Sequence, residues 1–345
     1  MKILIIADER PEVGSLTLSL IDAFSDSGFE VTCLHPPNPK PLRFLRKDSL
    51  SRRIIFRFLH AISFFSISLY LMIKLRKVVN YEFVLVVKGL NLSRRALNEL
   101  KKSGAFVVCF NPDDPYNLAS SGPRILDCIP LYNHYFIWSK RIREKIFSQY
   151  GVPSTYLPFA ADPKLHRLPA KPNVQRVKSR ISFIGNWDDE RENWLDCVER
   201  KDLLRLYGVN WERKLRSPDL KTCVANRAVV GKDLSLQVNS SQINLNILRV
   251  QNKGSCNMRT FEIPISGGFQ LHEYSEEVAC LFEEGKEIEF FRNAEELNKK
   301  INYYLENPVL TAAIAKAGRE KMFSENHFYL DRAAKIWRVV DESQG

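Results

Sequence analysis

The sequence predicts an α/β protein made of two parallel-sheet domains, residues 1–165 and 166–345. Three observations predict it. The chain has 345 residues, the length of two domains at ~150 residues each. Short continuous apolar runs alternate with helical patterns in both halves, as parallel strands covered on both faces require. Apolar residues make up 45% of the chain, normal for sizeable buried cores.

In the first half, Lys2 to Ala7 reads as a strand and Gly14 to Ser27 as a helix, with Leu16, Leu20, Ile21 and Phe24 at helical spacing. Strands follow at Phe29–Leu34, Phe83–Val87, Ala105–Phe110 and Tyr135–Trp138. Ligands of such sheets sit outside the C-terminal strand ends. That rule places Gly14, Lys88, Gly89, Asp113 and Asp114 where a ligand site would be. For Asp113 and Asp114 a turn is the plain reading, since Asn-Pro-Asp-Asp-Pro is strong turn chemistry by itself. No G-x-G-x-x-G follows the first strand, which argues against a dinucleotide cofactor.

Tyr156 to Leu168, with Pro158 and Pro163, reads as the junction. Beyond it the pattern gives a strand at Arg180–Ile184, a helix from Asp189 to about Arg200 and a strand at Leu203–Tyr207. A helix near Asp233–Asn239 and a strand at Ile243–Ile247 follow. Next come a helix at Arg259–Ser266 and a strand at Gly268–His272. A short helix ends near Phe282, ahead of a strand at Glu287–Phe291. Three helices, at about 293–306, 308–323 and 329–341, close the chain.

The net charge is +11. Between Pro41 and Asn80 stand Arg43, Arg46, Lys47, Arg52, Arg53, Arg57, Lys74, Arg76 and Lys77 against Asp48 alone. Such clustering calls for a partner or a surface. It surrounds Phe58–Ile73, 16 uncharged residues, too short for the ~20 of a spanning helix. Two readings stay open: a buried helix, or a segment lying in a membrane interface with the basic residues on lipid head groups. Nucleic acid is not an expected partner, because no recognition motif accompanies the charge. Seven cysteines without a C-x-x-C pair point to reduced thiols in a cytoplasmic setting. No metal-ligand spacing is present, and Met1–Ala7 is too short for a secretory h-region.

The stretch Arg249 to Leu271 organises the second half. A helix start concentrates free amides and partial positive charge, which favours phosphate. Arg259 offers a planar fork of donors for phosphate oxygens. Glu262, one turn on, is acceptor-only when ionised and suits a pair of ribose hydroxyls. Together they suggest a nucleotide-diphosphate ligand. An ordinary β–loop–α unit with a paired surface glutamate is the plainer alternative.

Asn257-Met258-Arg259-Thr260-Phe261-Glu262-Ile263-Pro264, then Gly267-Gly268-Phe269 and Gly285-Lys286-Glu287, resemble the CgeB-like (spore-maturation-type) glycosyltransferases of the GT-B superfamily. Glu295-Glu296-Leu297, Ala317-Gly318 and the end at His327, Phe328, Tyr329 and Arg332 extend the resemblance. It covers roughly 130–335 well and the first 130 loosely. It implies two Rossmann-like domains, with acceptor binding in 1–165, donor binding in 166–345 and the reaction in the cleft between. It also implies no metal and no cofactor beyond the nucleotide-sugar substrate. Gly185 and Asn186 would approach the phosphates and Glu262 would hold the ribose. Arg249, Asn257, Arg259 and Thr260 complete the donor side. Tyr207 or Trp211 would stack on the base, with a core role open for Tyr207. Many retaining members carry a second glutamate eight positions before the ribose-binding one; Gly254 stands there instead. Anomeric outcome is therefore not readable. An inverting member would need a general base near the acceptor hydroxyl, for which Asp113 and Asp114 are the candidates, with Gly14, Lys88 and Gly89 on the acceptor side.

The expected activity is sugar transfer to a glycan or lipid-linked acceptor in surface polysaccharide synthesis, in the cytoplasm or peripherally on the inner membrane face. The alternative is a non-catalytic nucleotide-sugar or glycan binder on a degenerate fold.

Overall fold

Six parallel strands build the first unit of the computed structural model, Met1–Leu157 with Ala333–Gly345. They are β1 (Lys2–Ala7), β2 (Glu30–Leu34), β3 (Phe83–Val87), β4 (Val107–Asn111), β5 (His134–Ile137) and β6 (Ser154–Tyr156), in the order β2-β1-β3-β4-β5-β6. The structure describes residues 1–8, 10–35, 66–75, 80–118, 120–167, 180–225 and 227–345. β3 and β4 are buried along their whole length, as central strands with both faces covered must be. That is why they read as unbroken apolar runs.

Helix α1 (Leu16–Asp26) starts at Ser15, whose hydroxyl accepts the Leu18 amide at 3.2 Å, a cap worth ~1 kcal/mol. It buries Leu20, Ala23 and Phe24. Helix α2, described over 66–75, buries Ile67, Leu71 and Leu75 and exposes Leu69, Tyr70 and Ile73. The described end of the 58–73 run is thus half core and half surface. Residues 58–65, and Arg43, Arg46, Lys47, Arg52, Arg53, Arg57, Arg76 and Lys77, lie outside the described residues. Among the described residues no helix is long and apolar enough to cross a membrane. Helices α3 (Arg94–Lys102), α4 (Pro123–Cys128) and α5 (Lys140–Tyr150) complete the unit before the junction.

The second unit, Pro158–Arg332, holds a parallel sheet of β7 (Ile181–Ile184), β8 (Leu204–Tyr207), β9 (Ile243–Asn246), β10 (Gln270–Glu273) and β11 (Glu289–Phe291). Their order is β11-β10-β9-β7-β8. Its helices are α6 (Asp189–Asp196), α7 (Trp211–Lys214), α8 (Gly231–Asn239), α9 (Arg259–Ile265), α10 (Glu276–Ala279), α11 (Ala294–Glu306) and α12 (Pro308–Ser324). Phe183, Leu206, Trp211, Leu245, Leu271 and Phe291 lie in one core cluster. α9 packs against α12 with Gly318 at the crossing, where an added Cβ would stand 2.3 Å from the Glu287 carbonyl.

Element edges differ from expectation by one to four residues. The expected helix to Arg200 stops at Asp196, and the strand expected from Gly268 starts at Gln270. The unit limits differ from the expected 165/166 division as well. Residues 158–165 cluster with the second unit and 333–345 with the first. The cause of the second shift is α13 (Tyr329–Gln344), which carries Trp337 to within 5.2 Å of the Phe29 ring and 6.1 Å of the Phe83 ring.

Candidate nucleotide site in the second unit and a charged cluster in the first

In the second sheet β7 has β8 on one side and β9 on the other. The connections leaving β7 and β9 run in opposite directions, so the sheet's topological switch point lies between their C-terminal ends. This is where open α/β sheets bind ligands. Three arginines converge on these ends.

Arg191 of α6 is buried and donates from Nε to the Ile247 carbonyl and from Nη1 to the Asn186 carbonyl, both at 3.1 Å. It therefore joins the segments following β9 and β7. Burial, with the charges of Arg249 and Arg259 added, pushes its pKa down to about 9. Arg259 donates from Nε to the Ile184 carbonyl at 3.1 Å and from Nη1 to Glu262 Oε2. Burial pushes its pKa down to about 10. Both remain cations at neutral pH. Arg249 is about a third exposed, and its Nε stands 4.0 Å from Asp188 Oδ2. Guanidinium groups set close together repel one another and attract an anion.

Gly185 and Asn186 form the loop under this cluster. Trp211 Nε1 donates to the Gly185 carbonyl at 2.8 Å, and Asn186 Oδ1 accepts the Val209 amide at 3.2 Å. Gly208, at φ +144, leaves no room for a Cβ, which would stand 2.1 Å from the Gly185 oxygen. Glycine there lets the loops after β7 and β8 close on each other. Trp211 is a core residue. Tyr207 packs in a small apolar cluster with Ile184, Val229, Leu234 and Ile263, with the Arg227 guanidinium over its ring at 5.4 Å.

The start of α9 departs from the expected free amides. The helix has seven residues. The Thr260 amide donates to Asn257 Oδ1 at 3.0 Å, and the Phe261 and Glu262 amides reach the Met258 carbonyl. Asn257 is further held by Asn246, and Thr260 Oγ1 lies 3.0 Å from His272 Nε2. Asn257 and Thr260 therefore anchor the helix. The cationic part of the site comes from side chains. Glu262 is buried with 2% of its side chain exposed, one oxygen on Arg259 and the other 3.7 Å from His166 Nε2.

In the first sheet the switch point lies between β1 and β3. Lys88 and Gly89 end β3 at φ +69 and +85. A lysine in the left-handed region carries strain of the kind that gathers at functional sites. Its Nζ is 2.5 Å from Asp113 Oδ2. Asp8, at the end of β1, accepts the Leu90 and Asn91 amides at 2.7 and 2.9 Å. Burial raises its pKa, with those two bonds and Lys88 working against the rise. The structure thus brings Lys88, Gly89 and Asp113 together, with Asp8 behind them. Asp114 serves the turn: its Oδ1 accepts the Tyr116 amide at 2.9 Å and its carbonyl accepts the Ser121 hydroxyl at 2.9 Å. Gly14, at φ +81, precedes the Ser15 cap.

Sequence reasoning missed Arg191, His166 and Asp8. Arg191 lies in Asp-Glu-Arg-Glu-Asn, which looks like a solvated helix face. Asp8 alone had a readable signal, since it follows the first strand directly. Among the described residues no cluster of three or more His, Cys, Asp or Glu side chains is placed to hold a metal ion.

Residues 190–338 match a family model described as glycosyl transferase-like. No curated protein sequence matches the chain. Solved structures match over nearly its whole length. HepE from Anabaena, in complex with UDP and glucose, is 12% identical at a TM-score of 0.69, with 99% of this chain and 100% of that chain covered. Sucrose-phosphate synthase from Thermosynechococcus elongatus is 11% identical at 0.66, covering 99% and 98%. A glycosyltransferase from Rickettsia africae is 12% identical at 0.65, covering 99% and 98%. The chain has the GT-B fold of these proteins, and the glycosyl transferase-like segment lies almost wholly in its second unit.

Proposed function

We propose that this protein is a glycosyltransferase using a nucleotide-diphosphate sugar. The observation that carries this reading is the convergence of Arg191, Arg249 and Arg259 at the switch point of the second sheet. The family match over 190–338 and the fold shared with the UDP complex of HepE support it. In the reaction the anomeric carbon loses its bond to the diphosphate oxygen, which departs with the electron pair. The same carbon gains a bond to an acceptor hydroxyl, whose proton passes to a base. Arg259 and Arg249 stabilise the departing diphosphate without a metal, as cations in a partly desolvated site can. Glu262 holds the ribose hydroxyls. Asp113 is the base on the acceptor side, with Lys88 orienting it; Asp114, committed to its turn, is the weaker choice. The acceptor is a glycan or lipid-linked glycan of surface polysaccharide synthesis, met at the membrane surface through the basic segment 43–77.

A second reading, a non-catalytic nucleotide-sugar binder, is favoured by one observation. Gly254, at φ +74, occupies the place of the second glutamate of many retaining enzymes. Incubation with UDP-, GDP- and CMP-sugars separates the two readings. Sugar release from one donor, lost in Arg259→Ala, supports transfer. Tight binding of a nucleotide with no turnover of any donor, even with glycan acceptors present, would assign the second reading.

A further inference from the structure

His166 is buried at 3% exposure on the turn that leads out of the junction, and among the described residues neither ring nitrogen has a side-chain hydrogen-bond partner. Buried polar groups without partners are uncommon and call for an explanation. Its Nε2 faces Glu262 Oε1 at 3.7 Å, too long for a hydrogen bond. The other oxygen of the same carboxylate is bonded to Arg259 Nη1. Among the described residues the charged groups facing the imidazole are Glu262 and Arg259, both from α9, and the Asp162 backbone of its own turn hydrogen-bonds to it.

A diphosphate at the arginine cluster would compete with Glu262 for Arg259. If Arg259 turned to the phosphates, Glu262 would be left as a buried carboxylate without its cation, which is costly. The imidazole needs to close less than about 1 Å to reach hydrogen-bond length. We infer that His166 is a positioning residue for Glu262, taking one carboxylate oxygen when Arg259 leaves the other for a ligand phosphate. The inference deepens the donor-site reading and rests on it for the identity of the ligand. It explains how a ribose reaches a carboxylate whose two oxygens face Arg259 and His166. Departure of Arg259 opens Oε2 to the hydroxyls while His166 keeps Oε1 in place.

The arrangement also links His166 protonation to Arg259. Burial and the Arg259 charge hold the imidazole pKa down to about 4. With Arg259 withdrawn, Glu262 faces His166 unbalanced and favours the imidazolium.

The test is an NMR titration of the labelled imidazole, its signal assigned by His166→Gln. In Arg259→Met the pKa should rise above the ordinary ~6.5. In Arg259→Met/Glu262→Gln it should fall back below that value. A pKa that stays depressed in Arg259→Met, or rises equally in both variants, would overturn the inference, since burial or cation repulsion alone would then account for it. Arg259→Gln replaces Arg259→Met if the latter does not fold. Saturating UDP added to the wild type gives the second arm. A rise in the His166 pKa with UDP supports both the relay and the donor site. UDP that binds and leaves the imidazole unmoved overturns the relay. A rise in Arg259→Met with no nucleotide bound by the wild type retains His166 as the partner of Glu262 and removes the nucleotide reading.

Discussion

Arg259 holds two bonds that an anionic ligand would contest, one to the Ile184 carbonyl and one to Glu262. A diphosphate must offer it more than these, and a charged hydrogen bond is worth ~1.5–3 kcal/mol. Arg259→Ala should weaken nucleoside diphosphate binding by that amount, measured by calorimetric titration. Unchanged affinity in a folded variant would end the assignment. Glu262→Gln should weaken a ribonucleotide but not its 2′,3′-dideoxy counterpart, because only the former presents hydroxyls to a charged acceptor. An equal loss for both ligands removes Glu262 from the ribose. At this scale the sequence was partly legible. Residue types suited to phosphate and ribose are visible in Arg259 and Glu262. What Asn257 and Thr260 do is not visible, because a capping amide and a ligand-binding amide look alike in a sequence. Arg191 was hidden for a related reason. Whether a residue in a charged helix faces water depends on what packs above it.

At the scale of elements, the packing of α9 on α12 depends on Gly318. An alanine there gains up to ~1 kcal/mol in helix propensity. Its Cβ would also stand 2.3 Å from a backbone oxygen, that of Glu287, which cannot rotate away. Overpacking of this kind costs ~1–3 kcal/mol, so the clash wins. Gly318→Ala should lower stability to urea by about 1–2 kcal/mol, and because α9 carries Arg259 it should weaken nucleotide binding with it. A more stable variant would show that α12 can shift without cost. Most strands were readable, because β3 and β4 are short apolar runs, and α11 and α12 keep helical spacing; β6, α3 to α5 and α7 were not read. The return of α13 to the first unit was not readable. Trp337 could have packed on either sheet, and only tertiary contact with Phe29 and Phe83 decides it.

Over the whole molecule, acid should act through buried histidines. His134 in the first unit and His166, His272 and His327 in the second all have pKa values pushed down to about 4 by burial. The unfolded chain takes its protons near ~6.5, before the folded one does. Their contribution is therefore intact above that pH and is lost as pH falls from ~6.5 towards 4, by up to ~1.4 kcal/mol per group per pH unit. Calorimetry should show the melting temperature falling between pH 7 and pH 5. With three of the four groups in it, the second unit should unfold first. A melting temperature flat over that range would mean these imidazoles are hydrated.

The charge of the chain supports a second prediction at this scale. Nine basic residues stand against one acidic between Pro41 and Asn80. Within that segment α2 exposes Leu69, Tyr70 and Ile73, and Arg95, Lys101 and Lys102 line a groove with Met72, Asn98 and Glu99, the last paired with Lys102. Each Lys or Arg at an anionic surface contributes ~1 kcal/mol. Eight of them acting together would give ~8 kcal/mol, a dissociation constant of about 1 μM. That term decays within ~10 Å in 0.1 M salt, whereas apolar insertion of a few side chains does not. We expect co-sedimentation with phosphatidylserine vesicles at low salt and release near 1 M salt, with no binding to neutral vesicles. Leu69→Ser/Ile73→Ser should shift release to lower salt if those side chains enter the interface. Retention that only detergent reverses would contradict the peripheral reading. Absence of binding at low salt would leave the basic segment to an anionic acceptor and the exposed residues of α2 to ordinary surface.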